Sequence, residues 1–397
     1  MKNTTSKNCI VILTHFSSLR VFKTNDYLST LIKLKKLKIE LYFINSEYLT
    51  FQKKITKKID YDKRFKYFIP KTFNDFNNFI KKKKILIINN FGRNFQDFFL
   101  LFFLRKKNFH QITINNFGNI QADNYFYQNI NLLFLKKLFF KTLPRKIGSL
   151  LIFLRLFNKI NCRFTSDLKI YENFQNTNYL KKKFIFYEKL KLVKSSIYEE
   201  KIPKKDISED LIVLLDVYPY YPELRQFKKL NEKEINLHYK QLNFLLDKLA
   251  FLYKKKVVIS IHPHYPENFH KNLFPNKKVI KYKTKSLIKK SFIVLFFDSS
   301  AIVTAIKLNK KIISIESNLF KGKKYNSELY SSKLKNIKIK LDKNYKFEKV
   351  SLLSKLNRKV DNYENYKKKF LGFSKKESGS NEISKYVKQF FYKKKDY

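Results

Sequence analysis

Four short stretches of this chain place residues able to handle a phosphorylated ligand directly after an aliphatic run. Asp216 closes "LIVLL", His262 and Pro263 close "VVISI", Asp298, Ser299 and Ser300 follow "FIVLFF", and Glu316 ends "IISIE". An imidazole at His262 can donate a hydrogen bond to a leaving phosphate oxygen or protonate it. Pro263 would stiffen the turn that aims the ring. Ser299 and Ser300 stand where a helix begins, so their hydroxyls join free backbone N–H groups that favour an anion. Asp216 is a candidate base for an acceptor hydroxyl, and Glu316 a candidate partner for ribose hydroxyls. Each also has a plainer role. Asp and Ser are preferred helix caps, an aspartate after a strand is a common turn residue, and His262 could be a surface-loop histidine. His264 and His270 are weaker candidates, and a His262–His264 pair lacks the further ligands of a zinc site.

These residues work together only if their strands end on one edge of one sheet, where open α/β sheets bind ligands. The pattern meets that condition. Strands are expected at 211–216, 257–261, 278–282, 292–297 and 311–316, separated by helical stretches. The longest of these opens with Asn231 as cap and Glu234 three residues on, a capping-box spacing. Its face carries Ile235, Leu242, Leu245, Leu249 and Leu252. Asn309 follows the Ser-Ser helix where a left-handed residue is wanted. The first half shows the same rhythm: strands at 9–14, 38–44, 84–89 and 111–115, with helices at 25–36 and around 95–105. Further apolar helices are expected at 126–140 and 146–158. The fold class is therefore α/β, with two Rossmann-like parallel-sheet domains facing a cleft. The expected division is 1–160 for an N-terminal domain and 161–205 for a charged connection. A C-terminal domain over 206–355 and a basic helical tail over 356–397 complete it.

Composition sets limits. The 397 residues are 44% hydrophobic with a formal charge of +53, enough apolar content for real cores. Only nine of the 85 basic residues are arginine, whereas nucleic-acid readers favour its planar fork, so nucleic acid is not an expected partner. The charge does favour phosphorylated ligands and an anionic membrane surface. Six glycines leave no GxGxxG and no P-loop. There is no HExxH and no GxSxG, and two cysteines make neither a zinc cluster nor a disulfide framework. Neither a metal nor a bound cofactor is expected. Residues 1–16 look like a first strand rather than a signal peptide, and no apolar run approaches the ~20 residues of a membrane span. The expected location is the cytoplasm, with loose attachment to the inner membrane face.

The strand-His-Pro unit, with a strand-Ser-Ser-helix unit 37 residues later, resembles the C-terminal half of bacterial surface-polysaccharide glycosyltransferases of the two-Rossmann GT-B type. It is most similar to the sialyltransferase and polysialyltransferase groups, and covers about 210–320. The resemblance implies that His262, Ser299 and Ser300 contact the phosphate of a nucleotide-sugar donor, which is CMP-linked in those groups. It also implies a surface-glycan or lipid-linked acceptor and a reaction without metal. One departure is clear: where those enzymes carry an acidic motif with the catalytic base, this chain has the amides of "NNFGN" (115–119). Asp216 is the substitute considered. Two alternatives stand beside this expectation: a CDP-glycerol-type phosphotransferase, and a basic nucleic-acid- or membrane-binding protein without catalysis.

Overall fold

The computed structural model describes residues 7–14, 27–45, 65–81, 83–89, 98–115, 160–176, 187–195, 207–217, 231–262, 265–297, 299–317, 326–341, 362–372 and 375–392, with Leu49 and Pro219. The chain divides into two units, one of residues 1–200 with 369–397 and one of residues 201–368.

The first unit is built on strands β1 (Lys7–Thr14), β2 (Glu40–Asn45), β3 (Lys66–Phe68), β4 (Lys83–Asn89), β5 (His110–Asn115), β6 (Ile160–Thr165) and β7 (Tyr187–Leu192). They form one parallel sheet in the order β3-β2-β1-β4-β5-β6-β7. Its helices include α1 (Tyr27–Lys35), α2 (Phe73–Ile80), α3 (Phe98–Lys106) and α4 (Leu168–Gln175). The central strand explains why both faces are covered. Successive side chains point to opposite faces, and β1 is apolar at every position from Cys9 to Leu13. Ile10 and Ile12 enter a core with Leu31 and Leu34 of α1. Cys9, Val11 and Leu13 enter another with Phe76 and Ile80 of α2 and Leu100 and Leu104 of α3.

The second unit holds β8 (Leu211–Leu215), α5 (Glu232–Tyr253), β9 (Lys256–Ile261), α6 (Glu267–Leu273), β10 (Lys278–Lys281), α7 (Thr284–Lys289), β11 (Ser291–Phe296), α8 (Ile302–Lys307), β12 (Lys311–Ser317), α9 (Asn326–Leu334), β13 (Ile337–Leu341) and α10 (Asn362–Leu371) up to Lys368, the last turn of α10 belonging to the first unit. Its sheet is parallel throughout, in the order β10-β9-β8-β11-β12-β13. Renumbered within the unit this is 3-2-1-4-5-6, the doubly wound order whose direction reverses between β8 and β11. The long helix α5 lays Ile235, Tyr239, Leu242, Leu245, Leu246 and Leu249 on Ile212 and Leu214 of β8. Its cap is Asn231, whose side chain accepts from the Lys233 N–H at 2.9 Å. Asn309 has φ 53°, the left-handed residue expected after α8.

Two expectations are corrected. The 161–205 stretch is not a connection up to its end: β6, α4 and β7 lie in it and extend the first sheet. The edge strand β7 buries Leu190 and Leu192 on one face, with Lys189 before them and Lys191 between them, so its charge concealed a half-covered strand. Nor is the C-terminus merely a tail. Helix α11 (Gly379–Tyr392) returns to the first unit and packs Ile383, Val387 and Phe391 against β1, β2 and β4. The helices expected at 126–140 and 146–158, and Asn25, lie outside the described residues.

Candidate functional site

Parallel register puts the carboxyl ends of β8, β9, β11 and β12 on one edge of the second sheet. Leu215 pairs with both Ser260 and Phe296, and Phe296 with Ser314. Asp216, His262, Ser299, Ser300 and Glu316 therefore share that edge. His262 follows β9 and Ser299 follows β11, the two strands that flank β8 and lie two strand spacings, roughly 10 Å, apart. The end of β8 lies between them, at the reversal point of the sheet.

His262 is exposed. Its carbonyl accepts from the Tyr265 N–H at 2.9 Å, and the two rings lie 5.2 Å apart, so the Tyr265 ring stands beside the His262 imidazole. Ser300 is exposed and Ser299 half-buried. The Ser299 hydroxyl accepts from the Ala301 N–H at 3.3 Å, while the two serine carbonyls take the N–H groups of Ile302 and Val303. Helix α8 has only six residues, so its dipole is short and the hydroxyls are the more definite donors. Pro263, His264 and Asp298 lie outside the described residues.

Asp216 sits differently from expectation. Its side chain is 1% exposed and its Oδ2 lies 3.4 Å from His270 Nε2. The Tyr239 hydroxyl reaches both Asp216 Oδ2 at 3.4 Å and the Val217 carbonyl at 3.3 Å. Burial pushes the Asp216 carboxyl up to about 8, against small opposing effects of the Val217 backbone and Tyr239. A carboxyl so enclosed does not meet an acceptor hydroxyl in this arrangement. The aspartate holds the end of β8 to α5 and α6 rather than offering a base at the surface.

Glu316 pairs with Lys338 of the next strand at 2.6 Å and is half-buried. The following residue, Ser317, has its hydroxyl 2.8 Å from His238 Nδ1. His238 is buried, and burial alone lowers it to about 3, so its imidazole is neutral. One turn of α5 thus secures two strand ends, His238 at β12 and Tyr239 at β8.

Sequence reasoning missed His238, Tyr239 and Tyr265, and ranked His270 low. Periodicity placed His238 and Tyr239 on a core helix, where nothing local marks them as partners of strand ends. Pro266 and His270 stand four residues apart, one helical turn, and the Pro266 carbonyl does meet His270 Nδ1 at 2.8 Å. That spacing was the available signal. Among the described residues, no group of three or more His, Cys, Asp or Glu is gathered to hold a metal ion. No helix there is long and apolar enough to cross a membrane.

No protein-family model and no curated protein sequence matches this chain. Solved structures do match its fold. The UDP-GlcNAc 2-epimerase of Methanocaldococcus jannaschii superposes with a TM-score of 0.55 at 13% identity, over 96% of this chain and 99% of that one. Arabidopsis thaliana UGT89C1 gives a TM-score of 0.51 at 11% identity, over 96% and 99%. The Staphylococcus aureus MnaA–UDP structure gives 0.51 at 10% identity, over 97% and 96%. At these identities the likeness establishes the fold: two parallel-sheet α/β domains of the GT-B type.

Proposed function

We propose that this chain is a glycosyltransferase that moves a sugar from a nucleotide donor to a glycan or lipid-linked glycan acceptor. The observation that carries the proposal is the placement of His262 and Ser299–Ser300 on either side of the β8 end, at the reversal point of a 3-2-1-4-5-6 sheet. A donor phosphate lying across this edge would accept from the His262 imidazole and the Ser300 hydroxyl. Those donors stabilise the charge that grows on the phosphate as its bond to the anomeric carbon breaks. The acceptor oxygen forms the new bond to that carbon, its proton leaves to a base, and the nucleotide departs.

Asp216 serves this scheme as a positioning residue. Through His270 and Tyr239 it ties the end of β8 to the bodies of α5 and α6, and α6 begins five residues after His262. Glu316 stands at the same edge, a candidate for donor hydroxyls once Lys338 gives way.

The fold supports a second use of the same edge, because it is shared with a UDP-GlcNAc 2-epimerase. Product analysis separates the two. The chain is incubated with UDP-, CMP-, GDP- and CDP-linked donors, with and without glycan acceptors. Acceptor-dependent release of nucleotide marks a transferase. A sugar changed at C2 but still linked to its nucleotide marks an epimerase and overturns the proposal. Transfer of a phosphorylated polyol from the CDP-linked donor, with CMP released, marks the phosphotransferase.

A further inference from the structure

Helix α5 has two faces, and among the described residues one of them packs on the sheet. Opposite the stripe that lies on β8, Leu237, Phe244 and Phe251 point outward, 37%, 46% and 82% exposed. They recur every seven residues, so they form one line along the helix, spanning about 21 Å at 1.5 Å per residue. Lys233, Lys240 and Lys248 are exposed on the same ridge, at steps of three or four residues from the apolar side chains. Lys248 Nζ lies 5.3 Å from the Phe244 ring centroid, and the helix ends in the lysine run 254–256. The acid on this ridge, Asp247, is paired with Lys277 at 2.8 Å.

We infer that this face of α5 docks on an anionic lipid surface. An interfacial helix presents a line of large apolar side chains flanked by lysines, so that rings enter the headgroup boundary while ammonium groups meet lipid phosphates. The ridge has both parts in register. Charge complementarity selects the occupant. A second copy of a chain carrying +53 would bring the same lysines to the same contact. A single-stranded nucleic acid needs a groove to track, and a lone convex helix has none. The surface is independent of the proposed chemistry, which uses the sheet edge.

The chain contains no tryptophan, so one introduced at the ridge reports on that position alone. Phe251→Trp is mixed with vesicles of phosphatidylcholine containing one-third phosphatidylglycerol, and with vesicles of phosphatidylcholine alone. Emission should move to shorter wavelength only with the anionic vesicles, and acyl-brominated lipid should quench it. Phe102→Trp on α3 should show neither effect. In the wild-type background, Phe244→Ser with Phe251→Ser, and separately Lys240→Glu with Lys248→Glu, should each weaken vesicle binding at least ten-fold without moving the melting curve. The inference is overturned if the Phe251→Trp variant sediments with vesicles while its indole emission stays unchanged. It is equally overturned if no vesicle binds. A shift that appears with rising protein concentration in the absence of lipid, or with single-stranded RNA and not with vesicles, assigns the ridge to another partner and overturns it too.

Discussion

His270 Nε2 faces Asp216 Oδ2 across 3.4 Å, with neither side chain open to solvent. The other ring nitrogen, Nδ1, meets the Pro266 carbonyl at 2.8 Å. A carbonyl only accepts, so Nδ1 carries the proton and Nε2 presents a lone pair to the carboxyl. Burial raises the Asp216 pKa to about 8 and lowers that of His270. Both shifts favour one arrangement, a neutral carboxylic acid sharing this contact with a neutral imidazole.

That sharing predicts a particular pH dependence. In the unfolded chain the aspartate ionises near 3.9 and the histidine near 6.5, about their ordinary values. From the lowered pKa of His270 up to about 6.5 the native and unfolded pairs each hold one proton, and their effects on the pH slope of stability cancel. Above about 6.5 the unfolded pair holds none, while the native pair keeps one until Asp216 titrates near 8. The unfolded state then binds fewer protons, so stability falls as pH rises through this window, by at most about 1.4 kcal/mol per unit. Asp216→Asn keeps the shape, offers an amide N–H to Nε2 and does not titrate. Urea unfolding at pH 6, 7 and 8 should show the fall in the wild type and a flatter profile in Asp216→Asn.

Gly372 ends α10 with φ +59°, and a Cβ built there would stand 2.7 Å from the Val193 carbonyl oxygen. Beside it, the Ser195 N–H donates to the Leu371 carbonyl at 2.9 Å, joining the helix end to the segment that follows β7. Gly372→Ala should cost about 1–2 kcal/mol from the left-handed backbone alone, with the clash in addition. A lowered unfolding midpoint in urea checks this. An unchanged midpoint would mean that this helix end contributes nothing to stability.

The C-terminal helix is part of the first core. The Tyr386 hydroxyl lies 2.8 Å from His110 Nε2, and the Phe390 ring stacks on His110 at 4.5 Å. Lys33 reaches Ser378 and Asn381 at 3.0 and 2.8 Å. Ile383→Ala should destabilise by about 2–5 kcal/mol, and a chain ending at Glu377 should expose the Leu31–Leu34 face and bind a hydrophobic dye. A truncated chain that melts like the full one would refute the role of α11.

Cys9 and Cys162 lie wholly buried in β1 and β6. Burial raises their thiols to about 12 and about 11, against a lowering influence of nearby lysines. Both should resist a disulfide reagent in the native protein and react fully in denaturant. Native labelling within minutes would contradict this placement.

Much of the fold was legible because the central strands are buried on both faces. Runs such as "CIVIL" and "LIVLL" then carry the strand signal without needing alternation. The capped helix α5 and left-handed Asn309 were legible for local reasons. What stayed hidden depends on partners distant in sequence. The three-residue β3 exists through its pairing with β2, and β7 reads as charged because one of its faces is open. Thr72 and Asp75 form a full capping box, overlooked because its acid is Asp rather than Glu. At the site, strand ends announced Asp216, His262 and the serines, yet no local pattern joins Asp216 to His270, 54 residues away. Asp216 looked like a surface base for that reason. The packing of α5 and α6 around it encloses it.

The central claim is that the edge holding His262 and Ser300 binds the donor's phosphate, and thermal shift against CMP, UDP, GDP and CDP tests it most directly. Both side chains are exposed, so His262→Ala and Ser300→Ala should melt like the wild type when no ligand is present. One nucleotide, at 100 times its dissociation constant, should stabilise the wild type by about 2.7 kcal/mol, and the two variants should lose most of that gain. If the variants are stabilised as strongly as the wild type, or no nucleotide raises its melting temperature, the account is contradicted.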